Sequence, residues 1–178
     1  MNTKFEFTGE TKVHFGVTLK RIRALVAIGS LVAAGELGGW IEKEENLWVS
    51  GNAWVYGNAR VYGNARVYGN AQVYGDARVY GNAWVYGNAR VYGNARVSGK
   101  IIVASRSDGY TFLVAPTPEG PRIIAGCRYF TFDQGVEHWT KTRGGTRLGD
   151  ESLLIVNHLK AMAELNGFME PVKPEDKS

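Results

Sequence analysis

The chain has little of what stabilises small secreted proteins or anchors membrane proteins. It holds 178 residues and a single cysteine, Cys127, so an intrachain disulfide is excluded and a reducing compartment is expected. No stretch approaches the ~20 apolar residues that span a bilayer. The first ten residues are polar and charged, without the apolar segment of a signal peptide. We therefore expect a cytoplasmic protein with no membrane partner.

Residues that carry chemistry are also scarce. The three histidines are His14, His138 and His158, and no group of Cys, His, Asp or Glu shows a metal-ligand spacing. Cys127 and His138 are the residue types of a nucleophile and its base. Cys127 ends an apolar run, however, and is better interpreted as a small core residue. We expect no catalytic site, no metal and no cofactor, and hence not an enzyme.

What the chain does have is a strict six-residue repeat. Eight hexads run from Ala53 to Lys100; seven read A-x-V-Y-G-N or A-x-V-Y-G-D, and the last reads A-R-V-S-G-K. Ala and Val alternate with outward residues, which is typical of a strand with one apolar face. Gly-Asn then suits a tight corner. Because one hexad cannot bury its own apolar face, neighbouring hexads must stack.

Two architectures satisfy this pattern. One is a parallel β-helix with three hexads per coil and a narrow Ala/Val interior. The other is an antiparallel meander with two-residue Gly-Asn hairpins. The meander leaves a wide apolar face and two edge strands to be covered. The β-helix closes around its own apolar face, so we favour it.

The motif V-Y-G-N-A-R resembles the hexapeptide repeat of the left-handed β-helix superfamily. The flanking segments F-E-F-T-G-E-T-K, G-E-L-G-G-W-I-E-K-E-E-N-L-W and G-C-R-Y-F-T-F-D resemble modules of uncharacterised phage and prophage hexapeptide-repeat proteins with GNAxVYG repeats. The resemblance implies a left-handed coil. Many members of the superfamily are acyltransferases whose general base is a histidine in the coils. No histidine lies in the hexads here, so the resemblance does not carry that activity over.

The expected fold is mainly β. A β-rich N-terminal head (1–46) precedes a short parallel β-helix of about three coils (47–106), whose first and last hexads fit the pattern loosely. An α+β module (107–170) and a disordered charged tail (171–178) follow. In the head, Phe5 and Phe7 belong to a first strand, and Gly9-Glu10 turns the chain toward a second strand near Lys12. Residues 17–28 form a third strand, or a helix, and Trp40 caps the β-helix core.

The C-terminal module is predicted to contain a hairpin and two helices. Residues 110–115 and 122–127 pair around the turn at 116–121. A first helix covers 132–141 with Thr131 as N-cap. A second covers 151–166 with Asp150 as N-cap and Gly167 as its stop. This second helix is apolar over more than one stripe, so we expect part of it to contact another subunit; the contact residues are Leu154, Leu159 and Met162.

Three hexads per coil place residue n beside residue n+18. One face then carries a column of arginines beside tyrosines, and these are the candidate ligand-binding residues for an anion or nucleotide: Arg60, Arg78, Arg96, Tyr62 and Tyr80. The second face carries Trp54. The third carries Trp48, Arg66 and Trp84 in one column. The candidate protein interface consists of residue types that are common in binding hot spots: Trp54, Trp84, Arg66, Tyr68 and Tyr86.

The charge distribution also indicates an anionic partner. The net charge is +4, and five arginines and one aspartate between residues 53 and 96 account for all of it. Stacked arginines about 4.8 Å apart repel one another. Either packing on tyrosine rings or a bound anion would offset this repulsion. The alternative is a solvated surface that keeps the repeats soluble.

A second anion candidate is the Gly-rich loop Arg143, Gly144, Gly145 and Arg147 before the last helix. It is not a Walker motif, and an ordinary loop between helices explains it equally well. Together with the resemblance to phage and prophage proteins, these features predict a phage-encoded, non-enzymatic binding protein in the cytoplasm of an infected bacterial host. It would counteract a host defence by binding a host protein or by sequestering a nucleotide signal. Nucleic acid is a weaker alternative as partner, and a structural or assembly role or a degenerate acyltransferase are the alternative functions.

The apolar helix near the C-terminus predicts a homo-oligomer. Light scattering at micromolar protein concentration should give a mass that is a multiple of the chain mass of 19.6 kDa. A monomer under these conditions would contradict the prediction.

Overall fold

The structure is a computed structural model that describes residues 2–126 and 128–169. The chain divides between Val97 and Ser98 into two compact units. The expected head and the hexads fall together in the first unit. This boundary lies inside the range expected for the β-helix (47–106), whose end at residue 106 stays a prediction.

The head contributes three strands to the first unit, which are β1 (Phe5–His14), β2 (Val17–Ala24) and β3 (Leu37–Ile41). β1 and β2 pair antiparallel, with a register shift between Phe7 and Thr11. Gly9, at φ +91°, lies in this bulge and not in a turn between two strands as expected. The turn comes later, at Phe15 and Gly16, and both have positive φ. Of the two alternatives for residues 17–28, the strand is confirmed as far as Ala24.

The hexads form a β-solenoid of about three turns. Each hexad supplies a two-residue strand, and these are β4 (Trp54–Val55), β5 (Arg60–Val61), β6 (Arg66–Val67), β7 (Gln72–Val73), β8 (Arg78–Val79), β9 (Trp84–Val85), β10 (Arg90–Val91) and β11 (Arg96–Val97). All stacked pairs are parallel and join position n to position n+18, which confirms the predicted columns within the hexads. The Ala and Val residues from 53 to 97 are buried inside the coils. The left-handed sense of the coil stays a prediction.

The first coil is longer than the others. Ile41 pairs with Val61 and Leu47 with Val67, so this coil exceeds the later ones by two residues, and a 3-10 turn (Glu44–Asn46) lies between its two pairings. The Trp48 N–H donates to the Val67 carbonyl at 2.9 Å, as the Tyr68 N–H does to the Val85 carbonyl one coil later. Trp48 therefore heads the column of Tyr68, and its expected place in line with Arg66 is wrong.

The coils and the head strands build three sheets. The largest has the order β1-β2-β3-β5-β8-β11, so the head continues one side of the solenoid. β10-β7-β4 and β6-β9 form the other two sides. Gly38 and Gly39 allow β3 to lie close to the first hexad. A Cβ on Gly39 would lie 2.7 Å from Val55 Cγ1 and 2.8 Å from the Ala59 carbonyl oxygen.

Head side chains satisfy backbone groups at the open end of the solenoid. The buried Asn46 amide donates to the carbonyls of Gly63 (3.1 Å) and Ala65 (2.8 Å). The buried Lys4 ammonium donates to the carbonyls of Trp48 and Gly51, both at 3.0 Å. These bonds occupy carbonyl acceptors that the first coil would otherwise leave unpaired. Unpaired backbone groups of this kind are what destabilises an exposed sheet edge.

The second unit is an antiparallel sheet covered by two helices. The strands are β12 (Ile102–Ser105), β13 (Thr111–Ala115), β14 (Arg122–Ala125) and β15 (Arg128–Phe130), paired in this order. The predicted hairpin is thus confirmed through Ala125. β12 pairs antiparallel with β13, and the loose hexad expected at 101–106 stays a prediction. Cys127 and the tail at 171–178 lie outside the described residues.

The helices are α1 (Phe132–Arg143) and α2 (Arg147–Leu165). The Thr131 side chain accepts the Gln134 N–H at 3.2 Å, which confirms the predicted N-cap of α1. The predicted N-cap of α2 is wrong: the helix begins earlier, and Thr146 accepts the Gly149 N–H at 3.1 Å. Asp150 lies in the first turn, where its charge favours the helix.

One face of α2 packs into the core of the second unit. This core contains Phe112, Ile123, Trp139, Val156 and Leu159. Leu159 is fully buried there, so the expectation that it contacts another subunit is wrong. Leu154 is 70% exposed and Met162 is half-buried. Leu154 is therefore the most accessible of the three expected oligomer contacts.

Lys4 predicts an unusual pH dependence of stability. Burial lowers the pKa of Lys4 from 10.5 to about 8. Between these values the unfolded chain binds a proton that the folded protein has released, so the free energy of unfolding rises with pH. The neutral amine still has two hydrogens for its two carbonyls. From pH 7 to 9.5 we expect Lys4 to contribute a gain of about 1 to 2 kcal/mol, with allowance for screening by solvent.

Urea unfolding at both pH values measures this gain. In Lys4→Met the rise should be smaller, and in the control Lys43→Met it should match the wild type. An undiminished rise in Lys4→Met would contradict the assignment. Above pH 10 the trend should reverse, because burial raises the pKa values of Tyr56, Tyr62 and Tyr68, and ionisation then favours the unfolded chain.

Candidate anion-binding face

The predicted arginine column lies on the outer side of the largest sheet. Arg60 pairs with Arg78, and Arg78 with Arg96, on parallel strands. Strands in such a ladder lie about 4.8 Å apart, so the three side chains leave the sheet at that spacing. All three are half-buried, whereas Arg66 and Arg90 on the other two sides are exposed. The largest sheet thus holds its arginines in a more enclosed environment.

A stack of aromatic rings accompanies the column. Tyr62 and Tyr80 are nearly parallel, with ring centroids 5.4 Å apart and an interplanar angle of 11°. Burial first, and then the neighbouring Tyr80, raises the pKa of Tyr62. Tyr62 is therefore neutral at physiological pH, and the stack adds flat apolar surface beside the cations.

The column continues into the head. Trp40 on β3 pairs with Arg60, and Arg21 on β2 pairs with Trp40. Trp40 therefore lies on the outer face of the sheet, and the expectation that it caps the β-helix core is wrong. Its ring is 8% exposed, and the indole N–H is buried without a hydrogen-bond partner among the described residues. The Nε atoms of Arg21 and Arg60 are likewise buried and unpartnered within the described part of the chain.

Lys12 lies directly over Trp40. Its ammonium nitrogen is 4.0 Å from the centroid of the indole, and the guanidinium carbon of Arg21 is 5.3 Å from the same ring. Burial, followed by the charges of Arg60 and Arg21, lowers the pKa of Lys12 to about 8, while Asp76 raises it by a smaller amount. Lys12 is thus partly desolvated and lies near two other cations.

The turn between β1 and β2 reaches over the solenoid. The ring centroid of His14 is 5.8 Å from that of Tyr62, and the guanidinium carbon of Arg78 is 5.8 Å from the ring of Phe15. Phe15 has φ +48°, which is strained for a bulky residue. The turn therefore holds an exposed aromatic ring beside the middle arginine of the column.

These residues define the basic face: Lys12, Arg21, Trp40, Arg60, Arg78 and Arg96, with Phe15, Tyr62 and Tyr80 beside them. Its cations have few acidic partners. Arg21 lies 3.8 Å from the Glu10 carboxylate. Among the described residues, the side chains of Arg60 and Arg78 make no hydrogen bond and no ion pair. The face thus has an excess of positive charge that the first unit does not neutralise.

The sequence predicted part of this face. The period of the stacked hexads identifies the arginines and tyrosines, but Lys12, Arg21 and Phe15 were missed. Their positions depend on the path of the β1–β2 hairpin. A usable signal was the segment H-F-G-V, which fits a two-residue turn between His14 and Val17. That turn would have placed Lys12 and Arg21 on neighbouring strands.

The candidate protein interface is brought together only in part. Arg66, Trp84, Tyr68 and Tyr86 lie on one side of the solenoid, where the two tyrosines stack at 5.4 Å. Trp84 is 40% exposed and Trp48, at the head of the tyrosine column, is 52% exposed. Trp54 is fully buried and meets Phe5 of the head edge-on at 6.4 Å. Its expected role as a surface contact is therefore wrong, because β1 covers it.

The second anion candidate joins α1 and α2. Arg143 ends α1, Gly144 is its C-cap, and Gly145 has φ +75°. The Arg147 guanidinium donates to the Glu151 carboxylate at 2.9 Å. Thr146 already binds an amide of the α2 N-terminus. Arg147 is thus paired with an acidic residue, and one amide at the start of α2 already has an acceptor. This loop is therefore less suited to an anion than the basic face.

Residues 2–126 and 128–169 also bear on metal binding and on membrane insertion. No group of three or more Cys, His, Asp or Glu is arranged to hold a metal ion in this range. No helix within it is both long enough and apolar enough to cross a membrane.

The stacked coils define the class of the protein: it is a β-helix repeat protein. Within this class, residues 59–73, 71–87 and 89–104 match the family model described as YdcK Beta solenoid repeat. The matches together cover less than half of the chain, and they fall on the hexads and the start of the second unit. Comparison with curated proteins gives no match.

Proposed function

We propose that the chain is a non-enzymatic binding protein, and that its basic face takes up an anionic ligand with a phosphate group, such as a nucleotide. One observation carries the proposal. Arg60, Arg78 and Arg96 are fixed in register on adjacent strands and half-buried, and the first two have no acidic partner among the described residues.

The chemistry of the face suits a phosphorylated ligand. Like charges directly opposite one another across a sheet are destabilising. A phosphate that accepts charge-assisted hydrogen bonds from two guanidinium groups would offset that cost. Phe15, Tyr62 and Tyr80 offer ring surfaces on which a base can stack. The face thus combines the two kinds of contact that a nucleotide needs.

The biological role is proposed from the sequence. The head segment F-E-F-T-G-E-T-K and the segment G-C-R-Y-F-T-F-D resemble parts of phage and prophage proteins. A phage protein that binds a nucleotide without a catalytic group would act by sequestering it, most usefully a signal of host defence in the host cytoplasm. A degenerate acyltransferase is less favoured, because its general base would need a histidine in the hexads.

A second candidate function is docking of a host protein. It is favoured by the exposed aromatic residues on the β6-β9 side, where Trp48, Tyr68, Trp84 and Tyr86 lie with Arg66. Trp, Tyr and Arg are enriched in binding hot spots. This side does not share its side chains with the basic face, so the two functions can be tested separately.

Native mass spectrometry after incubation with an extract of infected host cells tests both functions. We expect a retained mass near that of a nucleotide. In Arg60→Ala/Arg78→Ala/Arg96→Ala the retained mass should disappear, while the melting temperature stays equal or rises because the repulsion is removed. The matched control is Arg66→Ala/Arg90→Ala, which removes exposed arginines from the other two sides and should retain the ligand.

Other outcomes separate the alternatives. A small ligand that the triple variant still retains would contradict the proposed site. A host polypeptide that is lost in Trp84→Ala but retained by the triple variant would favour docking on the β6-β9 side. Retention of acetyl-CoA would favour the acyltransferase. Open-ended polymers without any ligand would favour a structural role.

A further inference from the structure

We infer that Lys12, Arg21 and Arg60 form a phosphate subsite at the head end of the basic face, and that this subsite binds the phosphate of a nucleotide whose base lies toward Phe15. The inference rests on the proposed function and deepens it. It assigns the phosphate to one end of the face and adds two residues that the hexads do not contain.

The three cations converge from three different elements. Lys12 is on β1, Arg21 on β2 and Arg60 on β5, and all three are neighbours of Trp40 on β3. Lys12 and Arg21 lie over that ring at 4.0 and 5.3 Å, and Arg60 is its neighbour in the parallel ladder. A ligand at this point would be held by both the head and the solenoid.

Hydrogen-bond donors at this point lack acceptors. The Nε atoms of Arg21 and Arg60 and the indole nitrogen of Trp40 are buried with no partner within the described residues. Buried polar groups in folded proteins are rarely left unpaired, so a cluster of such donors needs an explanation. Bound phosphate oxygens next to these side chains would supply acceptors only, which is what a set composed entirely of donors requires.

The local electrostatics agree with this geometry. Burial and the charges of Arg60 and Arg21 lower the pKa of Lys12 to about 8, and the nearby Asp76 only partly opposes them. On the same hairpin, His14 faces Tyr62 and Glu10 faces Arg21, while Glu6 pairs with Arg23 and Lys20 lies over the ring of Phe7. A phosphate dianion beside Lys12 would favour the ammonium form and return its pKa toward the ordinary value.

The hairpin tip gives the subsite a direction. Phe15 is held at φ +48° with its ring beside Arg78, one coil further along the solenoid than Arg60. Such strain persists in folded proteins where the surroundings impose it, and it is concentrated at ligand-binding sites. An aromatic ring beyond the cations suits a base attached to the phosphate, so we assign the base to the Phe15 and Tyr62 side.

Isothermal titration with the four nucleoside 5′-monophosphates, and with the matching nucleosides, tests the subsite. For the best monophosphate, the affinity of the wild type should fall about tenfold from pH 7 to pH 9 as Lys12 loses its proton. The phosphate is already a dianion over this range, since its second pKa is about 6. The nucleosides should bind much more weakly at both pH values, because they lack the phosphate.

Two variants assign the pH dependence to Lys12. Lys12→Gln should bind about tenfold more weakly at pH 7, with no further loss at pH 9. Lys12→Arg keeps the charge at both pH values and should bind tightly at both. Lys43→Gln, in the same unit but not among the residues of the basic face, is the control and should behave as the wild type.

The failure of the subsite can be distinguished from the failure of the proposed function. Binding that is lost in Arg78→Ala/Arg96→Ala but unchanged in Lys12→Gln would overturn the subsite and leave the basic face as the binding site. Equal binding of nucleosides and monophosphates would also overturn it. No binding of any monophosphate to the wild type would overturn the subsite; if the extract also yields no retained small mass, the proposed function falls with it.

Discussion

The hydrogen bonds between successive coils are the constraint on which the rest of the first unit depends. Each outward residue donates its N–H to a carbonyl one coil further along, as Arg60 does to Ala77 and Tyr62 to Val79. Within the hexads the bonds pair each position n with position n+18 and leave no freedom of register. A side chain is therefore stacked on its counterpart whether the pair attracts or repels. This stacking of like residues is favourable for the alanines and valines inside the coils. It is also favourable for the tyrosines outside, whose rings stack. It is not favourable for the arginines, and the repeat holds them together in spite of their charge.

The head resolves a problem that the same bonds create at the first coil, which has no coil before it. β3 pairs with β5 and so takes the place of a preceding strand. Asn46 and Lys4 bind carbonyls that no strand covers. The same element shapes the candidate site, because the hairpin that continues the sheet also brings Lys12 and Phe15 over the solenoid. The head thus covers the open end of the solenoid and also helps to form the basic face.

Strictly periodic features could be predicted from the sequence. Which outward side chains are covered by another part of the fold could not. The Ala/Val interior and the arginine column follow from the hexads alone, and the hairpin and α1 follow from local patterns and the Thr131 cap. Trp54 could not be assigned, because a tryptophan at an outward position is exposed unless another element covers it, and here Phe5 does. The alignment of the first coil was predicted wrongly, because the hexad pattern does not reveal its two additional residues. Residues 101–106 read as a hexad, and the hexad pattern alone gives no sign that β12 within them pairs antiparallel with β13.

Stacked positions within the hexads are always 18 residues apart, so the solenoid can change in length by whole coils. One additional coil inserted among the hexads would leave the head, the corners and every existing column unchanged, because each coil presents the same backbone groups to the next. It would lengthen the arginine column by one member. The length of the basic face is therefore a quantity that evolution can change in whole steps by unequal duplication. Ligand size and face length can be matched in this way without redesign of the core.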